Sequence, residues 1–452
     1  MNMRRTLVPP YLLSAALICM TRASFGQSAP TSTPEDMPTV PAEPTAPAAP
    51  APPVQPEPKI DPSEPTTRPL EVIPSPSEER ALAAKHSAST LVVTPLGYIE
   101  AYYAWNFNRP SNGITNFRGF DNRHASFTLS NVALGAHAEY GPVGARLVAQ
   151  VGSTPSTYYL SEPTLAGTGG ANASSAELWK YLQEAFVTYR APVGRGLLLQ
   201  LGLSMSPIGY EAMPVKDNWN WSRSNLFFGF PFYHTGLRAT YEWTDELATT
   251  VSVFNGWNSV VDNNEEKSVQ ANVTYKLPGK LLVQVLYFGG VERALGARPE
   301  GPYWRHHFDV ISRYDATSWL SLAAQVDYGF EPNRIGTASW AAGALYARFE
   351  PVERVYVALR GDRFHENLAT DGVGRSSSPI FYGGVEWVTS QTVTLDARPH
   401  DNLSVRLEYR HDIAEAPLYF RRDVAGDGTA ASPYAVNART QDTMLLGATA
   451  WF

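Results

Sequence analysis

The segment Gln441-Asp-Thr-Met-Leu-Leu-Gly-Ala-Thr-Ala-Trp-Phe452 contains the clearest indication of the fold. In an extended strand, side chains of one parity point to the same face. One parity of this segment is entirely apolar and comprises Met444, Leu446, Ala448, Ala450 and Phe452. The pattern predicts a β-strand with one apolar face and an aromatic end. A soluble sheet could also end in this way, so the strand alone does not separate a soluble protein from a membrane protein.

The composition narrows the choice of protein class. The 452 residues include 11 Trp, 23 Tyr and 19 Phe, whereas charged residues make up only 17%. Beyond the N-terminal region the sequence has no apolar run long enough for a transmembrane helix, which needs about 20 residues. Transmembrane β-strands alternate between lipid and water, so an aromatic-rich chain without apolar helices suits a membrane barrel. The formal net charge of -7 gives no support to nucleic-acid binding.

The first 26 residues have the features of a secretory signal peptide. Arg4 and Arg5 precede the apolar stretch Tyr11–Met20, and Ser24-Phe25-Gly26 forms a small-x-small cleavage site. Cys19, the only cysteine of the sequence, lies inside this segment. Cleavage would therefore leave no thiol for catalysis or for a cysteine metal site.

The region after the signal peptide predicts a linker. Between Pro30 and Pro76 lie 16 of the 36 prolines, together with many Ala, Thr and Glu residues. Such a composition cannot bury a core, so we expect residues 27–76 to form a disordered, Pro/Ala-rich periplasmic linker. Residues 77–95 are expected to form a short helix or further linker, and residues 96–452 the barrel.

The connections between predicted strands indicate the architecture. From Leu96 to Phe452 the sequence contains 16 segments with strand character, each of about ten residues. Short connections such as Gly141–Val143, Thr244–Glu246 and Leu277–Gly279 alternate with longer ones. This alternation is typical of an antiparallel up-and-down barrel with tight turns at one end and long external loops at the other. We therefore predict an all-β transmembrane β-barrel of about 16 strands, after a disordered Pro-rich segment.

The alternation within the strands predicts which face lines the interior. In Asn402–Asp412 the apolar residues share one parity, and Ser404, Arg406, Glu408 and Arg410 share the other. An Arg or Lys in the middle of the lipid layer would cost about 2–4 kcal/mol, so the charged face should line the lumen. A barrel of this size is too wide for side chains to fill. The predicted pore-lining residues on the strands are Arg238, Arg313, Arg360, Asp362, Arg406, Glu408 and Arg410. For each of them, a structural salt bridge in the wall is an equal alternative.

The third long connection, Met205–Pro231, contains an unusual number of aromatic residues for a loop. They are Trp219, Trp221, Phe227, Phe228 and Phe230. Exposing them to water would be costly, so we expect the loop to fold back onto the inner wall. Lys216, Asp217 and Arg223 would then lie in the lumen and narrow it. The alternative is an external aromatic patch that contacts lipopolysaccharide or a partner protein.

Four segments carry a family resemblance. Lys216–Ser224, followed by Pro231–Gly236, resembles the putative β-barrel porin-2 (OmpL-like) family, as do Gly97–Tyr103 and the stretch from Phe127 to Arg146. The resemblance covers residues 96–452. It implies a porin-like barrel in the bacterial outer membrane, surrounded by lipid and lipopolysaccharide and inserted by the barrel-assembly machinery. It also implies that the terminal Phe452 is an assembly signal.

Two functions remain open at this point. The first is a porin that forms a water-filled channel for passive diffusion of small hydrophilic solutes or ions, narrowed by the inward-folded third loop at about 205–231. The alternative is a structural or adhesive barrel that presents its external loops to partners. Neither reading needs a cofactor, and no His, Ser or acidic spacing in the sequence marks a catalytic or metal site. Porins of this size are often trimers, so a homo-oligomer is also open.

Overall fold

The computed structural model describes residues 90–167, 172–293, 303–371, 377 and 379–452. The predicted signal peptide, the predicted linker over 27–76 and most of the predicted segment 77–95 lie outside the described residues. Within the described ranges, no helix combines the length and the apolar character that a membrane span requires.

Strands dominate the described part of the chain, and they follow one another along the sequence. The strands are β1 (Leu91–Asn106), β2 (Ser126–Tyr140), β3 (Val143–Val151), β4 (Leu182–Ala191), β5 (Leu197–Met205), β6 (Tyr233–Glu242), β7 (Leu247–Phe254), β8 (Ser268–Leu277), β9 (Leu281–Gly290), β10 (Arg305–Asp315), β11 (Leu320–Pro332), β12 (Thr337–Val352), β13 (Val355–Asn367), β14 (Trp387–His400), β15 (Leu403–Ala414) and β16 (Thr440–Trp451). Two short helices, α1 (Ser153–Tyr158) and α2 (Ala176–Trp179), lie between β3 and β4. Single 3-10 turns are formed by Tyr159–Ser161, Val215–Asp217 and Asn225–Gly229.

The strands form one closed antiparallel barrel. Each strand pairs with its neighbours in sequence, and β1 closes the ring by pairing with β16. The closure extends to the last residue, because Phe452 N donates to Gly97 O at 3.0 Å and Gly97 N donates to Phe452 O at 3.2 Å. A closed ring leaves no unpaired sheet edge. The predicted fold class, an all-β antiparallel barrel of about 16 strands, is confirmed.

The first strand is longer than the sequence pattern predicts. It begins at Leu91, whereas the prediction placed the strand start at Leu96 and assigned the preceding residues to a helix or linker. Leu91 pairs with Tyr140 of β2, and Pro95 pairs with Ala136. Pairing with β16 starts only at Tyr98, so the missing N–H of Pro95 interrupts no ladder on that side. The first strand therefore extends five residues further toward the N-terminus than the prediction placed it.

The two faces of the strands differ in polarity as predicted. In β15, Leu407 is 45% exposed on the outer face, whereas Arg406 and Glu408 on the inner face are at most 1% exposed. The outer apolar row suits lipid contact. Buried aromatic and aliphatic side chains pack inside the ring, where the long loops meet the inner wall.

Candidate functional site

The connection between β5 and β6, residues 206–232, is called loop 3 here, and it lies against the inner wall of the barrel. Its backbone amides donate to wall side chains on separate strands: Val215 N to Glu100 Oε1 at 2.5 Å, Gly209 N to Asp309 Oδ2 at 3.1 Å and Tyr210 N to Gln325 Oε1 at 2.9 Å. Glu100 lies on β1, and the other two acceptors lie on β10 and β11. Loop 3 therefore extends across the lumen.

Glu408 on β15 accepts hydrogen bonds from two successive backbone amides of this loop. Its carboxylate accepts hydrogen bonds from Trp221 N at 2.6 Å and from Ser222 N at 3.0 Å, and also from Thr394 Oγ1 at 2.7 Å. The adjacent inward residue Arg406 donates from Nη1 to Val215 O at 2.9 Å. Hydrogen bonds to ionised groups are roughly twice as strong as neutral ones, so these contacts fix the loop backbone on the wall.

Three further charged wall residues bind loop 3. Arg360 forms an ion pair with Glu211 of the loop, at 2.7 Å between Nη1 and Oε1. Asp362 accepts from Asn225 Nδ2 at 2.7 Å. Arg410 donates to the carbonyl oxygen of Arg223 and forms an ion pair with its wall neighbour Asp412 at 2.7 Å. The charges on this part of the wall are therefore engaged in holding the loop.

The charged residues of loop 3 also have partners. Arg223 is 4% exposed and donates to the carbonyl oxygens of Ala212 at 3.2 Å and Trp221 at 2.7 Å. Burial lowers the pKa of its guanidinium, and nearby carboxylates, Glu100 first, oppose that shift. Lys216 and Asp217 form an ion pair at 2.8 Å, and each side chain is 14% exposed. Arg223 stabilises the loop's own turn, and the Lys216–Asp217 pair retains contact with water.

The aromatic side chains of loop 3 pack inside the barrel. Trp219, Trp221, Phe227 and Phe230 are each at most 5% exposed. The ring centroid of Trp219 lies 5.6 Å from the guanidinium carbon of Arg313 and 5.3 Å from the guanidinium carbon of Arg348. Trp221 and Phe227 contact Tyr102 and Phe120, so the buried aromatic surface faces the wall and the first external loop.

A carboxylate connects the second external loop to its neighbours. Glu162 accepts from Tyr233 Oη at 2.7 Å and from Val260 N at 3.0 Å. Burial raises the pKa of the Glu162 carboxyl, and the hydrogen bond from Tyr233 opposes that shift. The contact ties the loop after β3 to the start of β6 and to the loop after β7.

The opposite part of the wall is more open. On β3 and β4, Arg146 and Glu184 form an ion pair at 2.7 Å, and their side chains remain 26% and 16% exposed. The inward residues Thr188, Thr240, Thr250 and Thr274 on β4 and β6–β8 are half-buried. The four threonines lie toward the short-turn end of the barrel. The ion pair and the threonines, six residues in all, are called the vestibule below.

The structure divides the predicted pore residues into two groups. Arg360, Asp362, Arg406, Glu408 and Arg410 meet at loop 3, and Arg313 lies beneath Trp219. Arg238 on β6 is separate from them and faces Phe254, with 5.7 Å between its guanidinium carbon and the ring centroid. Sequence reasoning missed Glu211 and Asn225 as loop anchors, because a loop has no periodicity that assigns a direction to its side chains. It also missed Arg348.

No candidate metal centre was found in the described ranges: they contain no group of three or more His, Cys, Asp or Glu residues placed to hold an ion.

Comparison with known proteins agrees with the fold. The sequence profile of the family described as "Putative beta-barrel porin-2, OmpL-like" matches residues 93–452. Among curated proteins, none matches the sequence. The outer membrane channel DcaP of Acinetobacter baumannii is similar in structure, with a TM-score of 0.50 and 11% identity over 81% of this chain and 99% of that one. In-vitro folded OmpT, an outer membrane protein of Vibrio cholerae, has a TM-score of 0.51 and 9% identity over 81% and 98% of the two chains. At these identities the likeness concerns the fold alone.

Proposed function

The chain belongs to the putative β-barrel porin-2, OmpL-like, family of bacterial outer-membrane barrels, and on this premise we propose that it is a channel for passive diffusion of small hydrophilic solutes or ions, narrowed by loop 3. The family and the barrel fold favour a channel over an enzyme. The narrowing and the class of solute are our inference from the lumen.

One observation carries this proposal. Loop 3 is bonded to β1, β10, β11 and β13–β15, while the vestibule on β3–β8 keeps contact with water. A solute path would therefore run along the β3–β8 side, between the wall and the loop. An aqueous lumen with a narrow segment selects solutes by size and by the charges that line it.

Purified protein in a planar bilayer tests the channel. We expect stepwise insertions with an ohmic current–voltage relation, and a liposome-swelling assay with neutral sugars of increasing size should give a sharp limit. Silence at all voltages from correctly folded, heat-modifiable protein would contradict the proposal.

The second candidate is a plugged barrel with a structural or adhesive role. It is favoured by the burial of the wall beneath loop 3, where Arg406 is 0% and Arg410 only 2% exposed. Such a barrel would neither conduct nor admit sugars, so the same bilayer and swelling measurements separate the two candidates. The external loops would then carry the function.

A further inference from the structure

Four polar side chains form a lateral row on the inner wall, away from loop 3. The register pairs Gln200 with Arg238, Arg238 with Ser252 and Ser252 with Gln270, across β5 to β8. All four point inward, and their exposures are 4%, 8%, 1% and 1% in that order. The row lies one inward position beyond Thr240 and Thr250 of the vestibule.

Three members of this row have polar atoms without partners. Nε and Nη2 of Arg238, Oγ of Ser252, and both amide atoms of Gln270 make no hydrogen bond to any described residue. Buried polar groups are nearly always satisfied, and leaving one unpaired costs about 1–3 kcal/mol. Several such atoms side by side indicate that a molecule from outside the protein chain supplies the missing hydrogen bonds.

Arg238 also has no ion pair with a carboxylate among the described residues, in contrast to Arg146 and Arg410. Nε of Arg146 donates to Glu184 at 2.7 Å, and Nε of Arg410 donates to Asp412 at 2.7 Å. Glu184 on β4 is thus already paired with Arg146. Glu242, two inward positions away on β6, has an interaction of its own.

The buried, unpartnered Nε–Nη2 edge of Arg238 favours one class of ligand. Nε–H and Nη2–H are parallel donors, and together they match the two oxygens of a carboxylate. The aromatic ring of Phe254, 5.7 Å from the guanidinium carbon, holds the group in place. Gln270 offers both a donor and an acceptor, which suits a hydroxyl group, and Ser252 lies between it and Arg238.

We propose that Arg238, Ser252 and Gln270 bind a small hydroxylated carboxylate inside the barrel. The carboxylate occupies the Nε–Nη2 edge of Arg238, and the hydroxyl group of the ligand reaches Ser252 and Gln270. Two strand spacings, about 10 Å, separate the backbones of β6 and β8, a span that matches the length of a three- or four-carbon acid with its hydrogen-bonding partners. The proposal rests on the channel function, because the ligand must enter the lumen.

The test measures block of the chloride current through single channels by sodium lactate. In the wild-type protein we expect saturable block by lactate, weaker block by propionate, which lacks the hydroxyl group, and none by glycerol. Arg238→Gln should raise the half-blocking lactate concentration about tenfold or more, because it removes a charge-assisted pair. Arg238→Lys should do the same, since it keeps the charge and loses the parallel donors. Gln270→Met should remove only the preference for lactate over propionate.

Lys276→Gln is the matched control. Lys276 also points inward, on β8 near the short-turn end, but it is exposed. Its loss removes the same charge from the same side of the lumen, so block by lactate should stay at the wild-type level. Equal effects of Arg238→Gln and Lys276→Gln on the block would show that it depends on the overall charge of the lumen and not on a binding site, which would overturn the proposal. Equal block by inorganic phosphate and lactate would overturn the carboxylate assignment.

A second measurement separates failure of the site from failure of the channel. The unfolding temperature of the protein in detergent should rise with lactate in the wild-type protein and not in Arg238→Gln, because ligand binding stabilises only the folded state. If the protein does not conduct but lactate raises its unfolding temperature, the channel proposal is contradicted and the binding site stands. If the protein conducts but lactate neither blocks the current nor raises the unfolding temperature, the binding site is contradicted and the channel proposal stands. All variants must first show the heat-modifiable band of a folded barrel. If an arginine variant does not fold, the preference for lactate over propionate in Gln270→Met tests the site instead.

Discussion

Replacing Glu408 by Gln should loosen loop 3. The carboxylate of Glu408 accepts from two successive loop amides, Trp221 N at 2.6 Å and Ser222 N at 3.0 Å, and from Thr394 on the neighbouring strand. Glutamine has one acceptor oxygen, and its NH₂ group would face the second amide. The substitution also removes a negative charge near Arg406, which keeps its ion pair with Asp396.

The size of this effect follows from the bonds that are lost. A hydrogen bond to an ionised group contributes about 1.5–3 kcal/mol, and an unpaired buried amide costs a similar amount. Losing one such bond and weakening the other should destabilise the docked loop by about 3 kcal/mol, which changes the ratio of undocked to docked loop by about a hundredfold. The remaining anchors on β1, β10, β11 and β13 keep the loop near the wall.

Single-channel recording in planar bilayers measures this shift. We expect Glu408→Gln to show a larger mean conductance, with frequent transitions to a wider state. Glu386→Gln is the control, because Glu386 is exposed on an external loop and its side chain does not contact loop 3 among the described contacts. An unchanged distribution of conductance in folded Glu408→Gln would show either that Glu408 does not hold the loop or that the loop does not restrict the pore.

Three further predictions concern the loop and the two ends of the chain. Deleting Lys216–Ser224 should raise the conductance and the size limit for neutral sugars in liposome swelling; unchanged values would place the narrowest segment elsewhere. Deleting Phe452, which closes the ring against Gly97, should reduce the yield of heat-modifiable protein in the outer membrane, whereas Phe452→Tyr should not. A chain starting at Thr90 should refold in detergent as well as the chain starting at Gln27, because the proline-rich composition builds no core; failure of the shorter chain alone would contradict this.

The strands and their faces were predictable because the alternation of polar and apolar residues is a local pattern in the sequence. In β15, alternation alone assigned Arg406, Glu408 and Arg410 to one face, and the structure places all three inside. The start of the first strand was not predictable in the same way. The strand begins at Leu91 and includes Pro95, which pairs with β2 only, so the usual cost of proline in a sheet is absent there.

The partners of the inner charges were not predictable from the sequence. Arg238, Arg406 and Arg410 have the same inward parity, yet the latter two donate to carbonyl oxygens of loop 3 and the Nε and Nη2 atoms of Arg238 have no partner among the described residues. Parity assigns a side chain to a face, but its lateral neighbours depend on the register between strands and on the path of the loops. Glu211, the loop partner of Arg360, shows this most clearly, since nothing in its sequence neighbourhood indicates a direction.

The number of charged residues on the wall is therefore a poor guide to selectivity. Arg360 and Arg410 each form an ion pair with a wall or loop carboxylate, and Arg406 lies 3.4 Å from Asp396, so their fields are largely cancelled at short range. Arg238 and Arg348 form no ion pair among the described residues: Arg238 lies against the ring of Phe254, and Arg348 lies against the rings of Trp219 and Tyr356. Unpaired charges at the edge of a low-dielectric wall attract counter-ions more strongly than paired ones. A conducting barrel should therefore prefer anions despite the net charge of -7 of the whole chain, and the preference should depend on Arg238 and Arg348 more than on the arginines beneath loop 3.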